Sequence, residues 1–416
     1  MVDAVCRPVE GEQVRRLMRW GTPTGIDLTA QAEQSAGRGR AETLHASRLL
    51  GRDPFLVLHG GGNTSVKTAD DLWAKASGFD LGSLDAEGLV QLDRARLAAM
   101  LAGPRLGDLE MMAGYEDASR EGSPAPTIES LLHHALPFRS VLHTHADAIV
   151  ALTDTVHGLD LVTDVLGDDV IVVPYVMPGF DLAVQASAAW HERRDERPTA
   201  IVLAHHGLFT MGENVSDAYD RHVELVERAE DFLAREAAPL TRPFAELDAP
   251  ALVPADLREE LDRHAGRGLS VAVCTDAAVR HFVAREDLPV VSQQGPTTLE
   301  HVIRTKRVPM LGRDVARYVS DYVDYFERHA QRSPGVVMLD PTPRVILDPE
   351  LGLVTTGPDA KTAHAVMDIY RHTIRIIAAA ERLGGYRTVT EGQAFDIEYW
   401  ELEQRRLRGA TAPGAS

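Results

Sequence analysis

Cysteine is nearly absent: the chain of 416 residues carries two, Cys6 and Cys274. Two thiols so far apart form no disulfide framework, and a reducing cytoplasm is the expected setting. No run of eighteen apolar residues occurs, so no membrane span is expected. The first twenty residues hold Glu10, Glu12, Arg15, Arg16 and Arg19 without an apolar stretch, so no secretory leader is expected. Positive charge is short as well, with 43 Lys and Arg against 62 Asp and Glu, a net −19. That balance repels nucleic acid and anionic membranes, while an anionic small substrate is still compatible with a locally positive site. No G-x-S-x-G elbow, no phosphate-binding P-loop and no G-x-G-x-x-G after a strand is present. His59-Gly60-Gly61-Gly62 is like an esterase oxyanion loop but has no serine nucleophile to serve. Neither an internal repeat nor a low-complexity tract is evident.

The length exceeds one ordinary core, which points to two domains. We expect a helix over 1–20, a loop over 21–40, a helix over 41–50 and a strand at Phe55–Leu58 running into the glycine turn. A hairpin is expected from Val66-Lys67 and 72–76, then helices over 93–102 and 127–136. Strands at 139–143, 170–176 and 200–205 alternate with helices over 181–193 and 215–236, the mark of a layered α/β fold. Four prolines over 237–256 break the pattern and mark a boundary. Beyond it come a strand at 269–274, long helices over 313–331 and 361–383, and a hairpin, 344–347 with 351–355, around Asp348-Pro349-Glu350. The domains are therefore expected at 1–240 and 257–408, with a flexible tail over 409–416.

His143-Thr144-His145 closes an apolar run. Imidazoles at i and i+2 of a strand point to one side, so three residues supply two metal ligands. His206 closes another apolar run, and three neutral imidazoles suit Zn²⁺ with positions left open for chemistry. His205 is the alternative third ligand on sequence alone. The turn Gly61-Gly62-Asn63-Thr64-Ser65 offers backbone N–H groups and polar side chains to a phosphate. Ser77-Gly78 adds a hydroxyl and a close backbone approach. Thr127, as N-cap of the next helix, adds a helix start. Glu129 in that first turn serves either the helix dipole or acid–base chemistry. His301, Arg304 and Lys306 are candidate anion binders, against a plain reading as a solvated helix face. His143-Thr-His-Ala-Asp147 begins like a metallohydrolase signature, but Ala148 stands where its third ligand is needed.

The ordered set GGNTSV, SG, P-T-I-E, HTH and HHGLF resembles the class II aldolase/adducin family over about residues 45–236. The resemblance implies an α/β/α layered domain around a central mixed or antiparallel sheet, followed here by a C-terminal α/β extension. It implies one Zn²⁺ per chain on His143, His145 and His206, with Glu129 as catalytic acid/base. Asn63, Ser77, Gly78 and Thr127 match phosphate-binding positions, and Ile128 departs from the family's second hydroxyl there. Pro174-Tyr-Val-Met-Pro178-Gly179 looks like the rhamnulose-phosphate branch, where an upstream carboxylate, Asp168 by position, can be a further metal ligand. The implied reaction is cleavage or formation of a ketose 1-phosphate, by a cytoplasmic homo-oligomer, a tetramer by analogy. A sugar-phosphate epimerase or decarboxylase, or a non-catalytic adducin-like module, are the alternatives. The second half, with His301-Val-Ile-Arg304-Thr-Lys306 and Glu398-Tyr-Trp-Glu-Leu-Glu-Gln404, resembles the aldolase portion of bifunctional aldolase/dehydrogenases. No dinucleotide chemistry is expected from this chain itself.

Overall fold

The structure is a computed structural model and describes Trp20, residues 37–237, Leu240, and residues 252–333, 335–402 and 404. The expected N-terminal helix, most of the loop over 21–40, much of the linker over 237–256 and the tail over 409–416 lie outside them. The chain forms two compact units, Arg15–Thr153 with His157–Glu236, and Ala237–Ser416 joined by Asp154–Val156. Among the described residues no helix is long and apolar enough to cross a membrane.

The first unit opens with α1 (Arg38–Gly51) and a meander of β1 (Asn63–Lys67), β2 (Asp71–Lys75) and β3 (Leu89–Asp93). Then follow α2 (Arg94–Ala102), α3 (Asp108–Ala118), α4 (Ser130–Ala135) and β4 (Ser140–Thr144). The remainder is α5 (Asp147–Thr153), α6 (Gly158–Leu166), β5 (Val170–Val173), α7 (Phe180–Glu192), β6 (Ala200–Leu203), β7 (Gly207–Gly212) and α8 (Val215–Glu236). The sheet order is β3-β2-β1-β4-β7-β6-β5, antiparallel except for the β5–β6 pair. This is the α/β layering around a mixed sheet that the sequence led us to expect. One face carries Leu72, Ala74, Val141, Ile171, Ile201, Phe209 and Met211 in a continuous apolar core. The other face is covered in part by α8, whose buried Val215, Ala218, Tyr219, His222, Val226, Ala229 and Leu233 recur at helical spacing.

Two expectations for the first unit need correcting. Phe55–Leu58 is not a strand. Asp53 accepts from the Phe55 N–H at 3.0 Å through its side chain, and from Leu56 and Val57 N–H through its carbonyl, so this segment turns. The helix expected over 127–136 spans only Ser130–Ala135, and Glu129, not Thr127, holds the N-cap position. Residues 125–127 are drawn into backbone pairing with the exit of β2, Ser77 N–H to Ala125 and Thr127 N–H to Lys75, and cannot turn helical.

The second unit contains α9 (Ala255–Ala265), β8 (Ser270–Cys274), α10 (Ala277–Val283), α11 (Leu288–Val291), α12 (Val302–Thr305) and β9 (Met310–Leu311). It continues with α13 (Val315–Ala330), β10 (Val345–Asp348), β11 (Gly352–Gly357), α14 (Ala360–Arg382) and α15 (Glu391–Glu398). Its sheet order, β8-β11-β10-β9, repeats β4-β7-β6-β5 with the same strand directions. The register repeats too. Ser140 faces Gly212 as Ser270 faces Gly357, and Ala200 faces Thr210 as Val345 faces Thr355. Thr210 donates to the Ala218 carbonyl at 2.9 Å, and Thr355 to that of Ala363 at 2.8 Å. The absence of an internal repeat, expected from sequence, is thereby corrected. The trace it leaves is the pair Gly-Leu-Phe-Thr-Met-Gly (207–212) and Gly-Leu-Val-Thr-Thr-Gly (352–357).

Candidate metal centre

Asn63 on β1, His143 on β4 and Phe209 on β7 form one cross-strand row, so their side chains leave the same face of the sheet. His145 follows two residues later, and His206 ends the short turn between β6 and β7. Their ring centroids lie 4.8 to 4.9 Å apart. One nitrogen from each of the three comes within 4.8 Å of the others. His143 and His206 are buried and His145 is partly so. His205, the alternative ligand, adopts a left-handed backbone (φ 58°) and is not in the cluster.

The His143 Nδ1–H donates to the Leu208 carbonyl at 3.1 Å, and the ring stacks on Phe209 at 3.9 Å. That bond leaves the Nε2 lone pair facing His145 Nε2, 2.9 Å away. Burial, then the neighbouring imidazoles, push the His143 pKa well below its ordinary value, so the ring is neutral and ready to ligate. Glu129 closes the group, its two carboxylate oxygens 3.6 Å from His143 Nε2 and 3.4 Å from His206 Nε2. Three imidazoles whose nitrogens lie within 4.8 Å of one another and one buried carboxylate fit a divalent ion of the zinc type.

Asn63 Nδ2 donates to Glu129 at 2.6 Å and to Thr127 Oγ1 at 3.3 Å. Ser77 and Gly78 form an exposed turn paired with the 125–127 segment, and Gly78 has φ 82°. Asn63 and Thr127 thus gather beside Glu129, while Ser77 lies opposite Ala125, further along the same pairing.

Two other candidates of the first unit do not gather there. Thr64 alternates to the opposite face of β1, where its hydroxyl meets Ser47 of α1 at 2.7 Å. Asp168 is exposed just before β5, at the opposite end of the parallel β5–β6 pair from His206. Its carbonyl accepts from Arg193. Arg304 and Lys306 belong to the second unit. Arg304 is exposed there, and Lys306 is buried with Nζ donating to the Asp340 carbonyl at 2.6 Å over the Tyr322 ring. Burial pushes the Lys306 pKa down to about 7. The sequence reading missed His133, which donates to Asn63 Oδ1, and Phe209 beneath His143. The i, i+4 spacing of Glu129 and His133 was the available signal.

Residues 41–233 match the class II aldolase and adducin N-terminal domain, and 248–407 the class II aldolase second domain. The N-terminal class II aldolase domain of a conserved protein from Thermoplasma acidophilum is 34% identical. That match covers 53% of this chain and 100% of that one, with a TM-score of 0.46. The chain belongs to the class II aldolase and adducin family. An uncharacterized oxidoreductase of Bacillus subtilis (strain 168), YuxG, is 28% identical over 89% of this chain and 58% of its own length. The chain therefore spans little more than half of that relative. Rhamnulose-1-phosphate aldolase of Listeria welshimeri is 38% identical over 104 residues, 22% of this chain and 35% of that protein.

Proposed function

We propose that this chain is a Zn²⁺-dependent lyase that splits or joins a ketose 1-phosphate, with dihydroxyacetone phosphate and an aldehyde as the other side of the reaction. The observation that carries this reading is the Glu129 carboxylate set 3.4 and 3.6 Å from two imidazoles of the three-histidine cluster. His143, His145 and His206 hold the ion. What the ion supplies is Lewis acidity toward the substrate's carbonyl oxygen. Glu129 carries the proton to and from C3: when the C3–C4 bond breaks, the C4 hydroxyl loses its proton and C3 gains one. Its place against the Asn63 amide keeps the carboxylate aimed at the cluster. Ser77, Gly78 and Thr127 receive the phosphate through hydroxyl and backbone N–H groups, and Asn63, whose amide is engaged by Glu129, Thr127 and His133, borders them. The family resemblance supports a cytoplasmic homo-oligomer.

The test is a panel of ketose 1-phosphates and the matching free sugars, with the released aldehyde identified by mass spectrometry. Cleavage of a phosphorylated ketose with about one Zn²⁺ per chain is the expected result. Cleavage of free sugars alone rejects the phosphate cradle, and a changed epimer without cleavage rejects the lyase. Glu129→Gln is expected to keep its metal and lose about 10²–10⁴-fold in kcat. His143→Ala is expected to lose the ion itself.

A further inference from the structure

We propose that His133 is a positioning residue for Glu129: by donating from Nε2 to Asn63 Oδ1, it fixes which way the Asn63 amide faces. The inference rests on the acid/base role given to Glu129 above, and its geometry stands apart from any one reaction.

Asn63 sits between two groups that make opposite demands. On one side lies Glu129 Oε2, 2.6 Å from Nδ2. An ionised carboxylate only accepts, so the amide must turn its NH₂ toward it. On the other side lies His133 Nε2, 2.5 Å from Oδ1. An amide oxygen only accepts, so that imidazole nitrogen must carry the hydrogen. The neutral ring then has Nδ1 bare, and Ser65 Oγ stands 2.7 Å from it as donor. The polarity runs one way: Ser65 to His133, His133 to Asn63, Asn63 to Glu129. Reversing the amide would press two oxygens together across 2.6 Å.

The fold holds every member of this relay. Asn63 and Ser65 leave the same face of β1, being two residues apart. Glu129 and His133 are four apart, and the His133 N–H donates to the Glu129 carbonyl at 3.0 Å, so both look toward β1 from one helical turn. His133 is fully buried and meets Phe209 edge-on at 5.6 Å. Phe209 is also the ring that stacks on His143. Burial, with Lys67 nearby, holds the His133 pKa down at about 3, so the ring stays neutral at physiological pH and the relay keeps its direction.

A packing role alone would need only the shape of the ring. A positioning role needs the Nε2–H. The experiment uses the full chain and compares His133→Phe, which keeps bulk and removes the donor, with His133→Gln, which keeps a donor near Nε2. Asn63→Ala and the His133→Phe/Asn63→Ala double variant complete the cycle. His133→Phe is expected to lower kcat by about 10–100-fold, with KM and metal content little changed. His133→Gln is expected to recover most of that loss. The double variant should be no slower than Asn63→Ala, because the histidine acts only through the asparagine. Losses that multiply, or a His133→Phe variant with wild-type kcat, overturn the proposal. A second readout needs no turnover: ¹⁵N-edited spectra of the imidazole, assigned by the His133→Gln variant. They should show the neutral Nε2–H form from pH 5 to 8, and an Nδ1–H tautomer overturns the proposal. Wild-type protein inert toward every ketose 1-phosphate rejects the aldolase reading, and the tautomer then decides the relay separately.

Discussion

At the scale of single residues, two glycines decide whether the histidines can meet. A Cβ on Gly207 would lie 2.2 Å from the Thr144 carbonyl oxygen and 3.1 Å from His145 Cα. A Cβ on Gly62, at φ 70°, would lie 2.8 Å from the His143 carbonyl oxygen. Gly207 thus lets the His206 turn close against the end of β4. Gly207→Ala must push that turn outward, because backbone cannot yield as a flexible side chain can. We expect it to weaken Zn²⁺ binding at least tenfold and to cost roughly 2 kcal/mol or more of stability. Equilibrium dialysis with unchanged affinity would refute that account. The histidines themselves were legible because His-x-His on a strand and His-Gly at a turn are local patterns. Thr64 and Asp168 were not, because their side depends on pleat parity and strand direction, which only partners fix. The burial of Lys306 was not legible, because a lysine in sequence gives no sign of it.

At the scale of elements, the second sheet is the β4-to-β7 half of the first without its ligands. In the shared register Val273 stands for His143, Thr275 for His145 and Leu351 for His206. Among the described residues its four strands include no counterpart of β1 or β2, and β1 brings Asn63 to the first. One metal ion per chain is therefore expected, and His143→Ala should leave none. A residual stoichiometric ion in that variant would place a site elsewhere. Directly after Thr275, Asp276 caps α10 and pairs with Arg371 at 2.8 Å, both buried. Burial alone would raise the Asp276 pKa, but the Val279 N–H and the Arg371 guanidinium together hold it below the usual carboxylate range. Arg371→Leu strands that carboxylate and should cost about 3–5 kcal/mol in urea unfolding. A cost under 1 kcal/mol would mean that the pair is not what orders this end of the sheet. Strand order escaped the sequence reading for a simple reason: alternation shows that a strand exists but not its neighbour. The repeat escaped because its strands share burial and few side chains.

At the scale of the whole molecule, stability should depend on acid through histidines that the folded first unit keeps neutral. His222 is fully buried behind the sheet, between Thr144 at 2.7 Å and Thr210 at 3.0 Å. Burial lowers its pKa to about 3, as it does with Lys67 nearby for His133. In the unfolded chain both titrate near 6.5. As pH falls below that, the unfolded state takes up protons that the folded state refuses, so stability drops from about pH 6.5 toward about pH 3. Each ring contributes close to 1.4 kcal/mol per pH unit once the unfolded form is protonated. Two rings give roughly 2.7 kcal/mol per unit, enough to exhaust an ordinary margin of about 5–15 kcal/mol within a few units. Urea midpoints followed by tryptophan fluorescence in the presence of a chelator, so that metal release does not contribute, should fall steeply between pH 6 and pH 4. His222→Gln should reduce that slope by one ring's share, about 1.4 kcal/mol per pH unit, since an amide can still bond Thr144 and Thr210 but takes up no proton. A midpoint flat from pH 7 to pH 5 would mean that these rings are charged or solvated in the folded chain, and the neutral His133 on which the Asn63 relay depends would be lost with it.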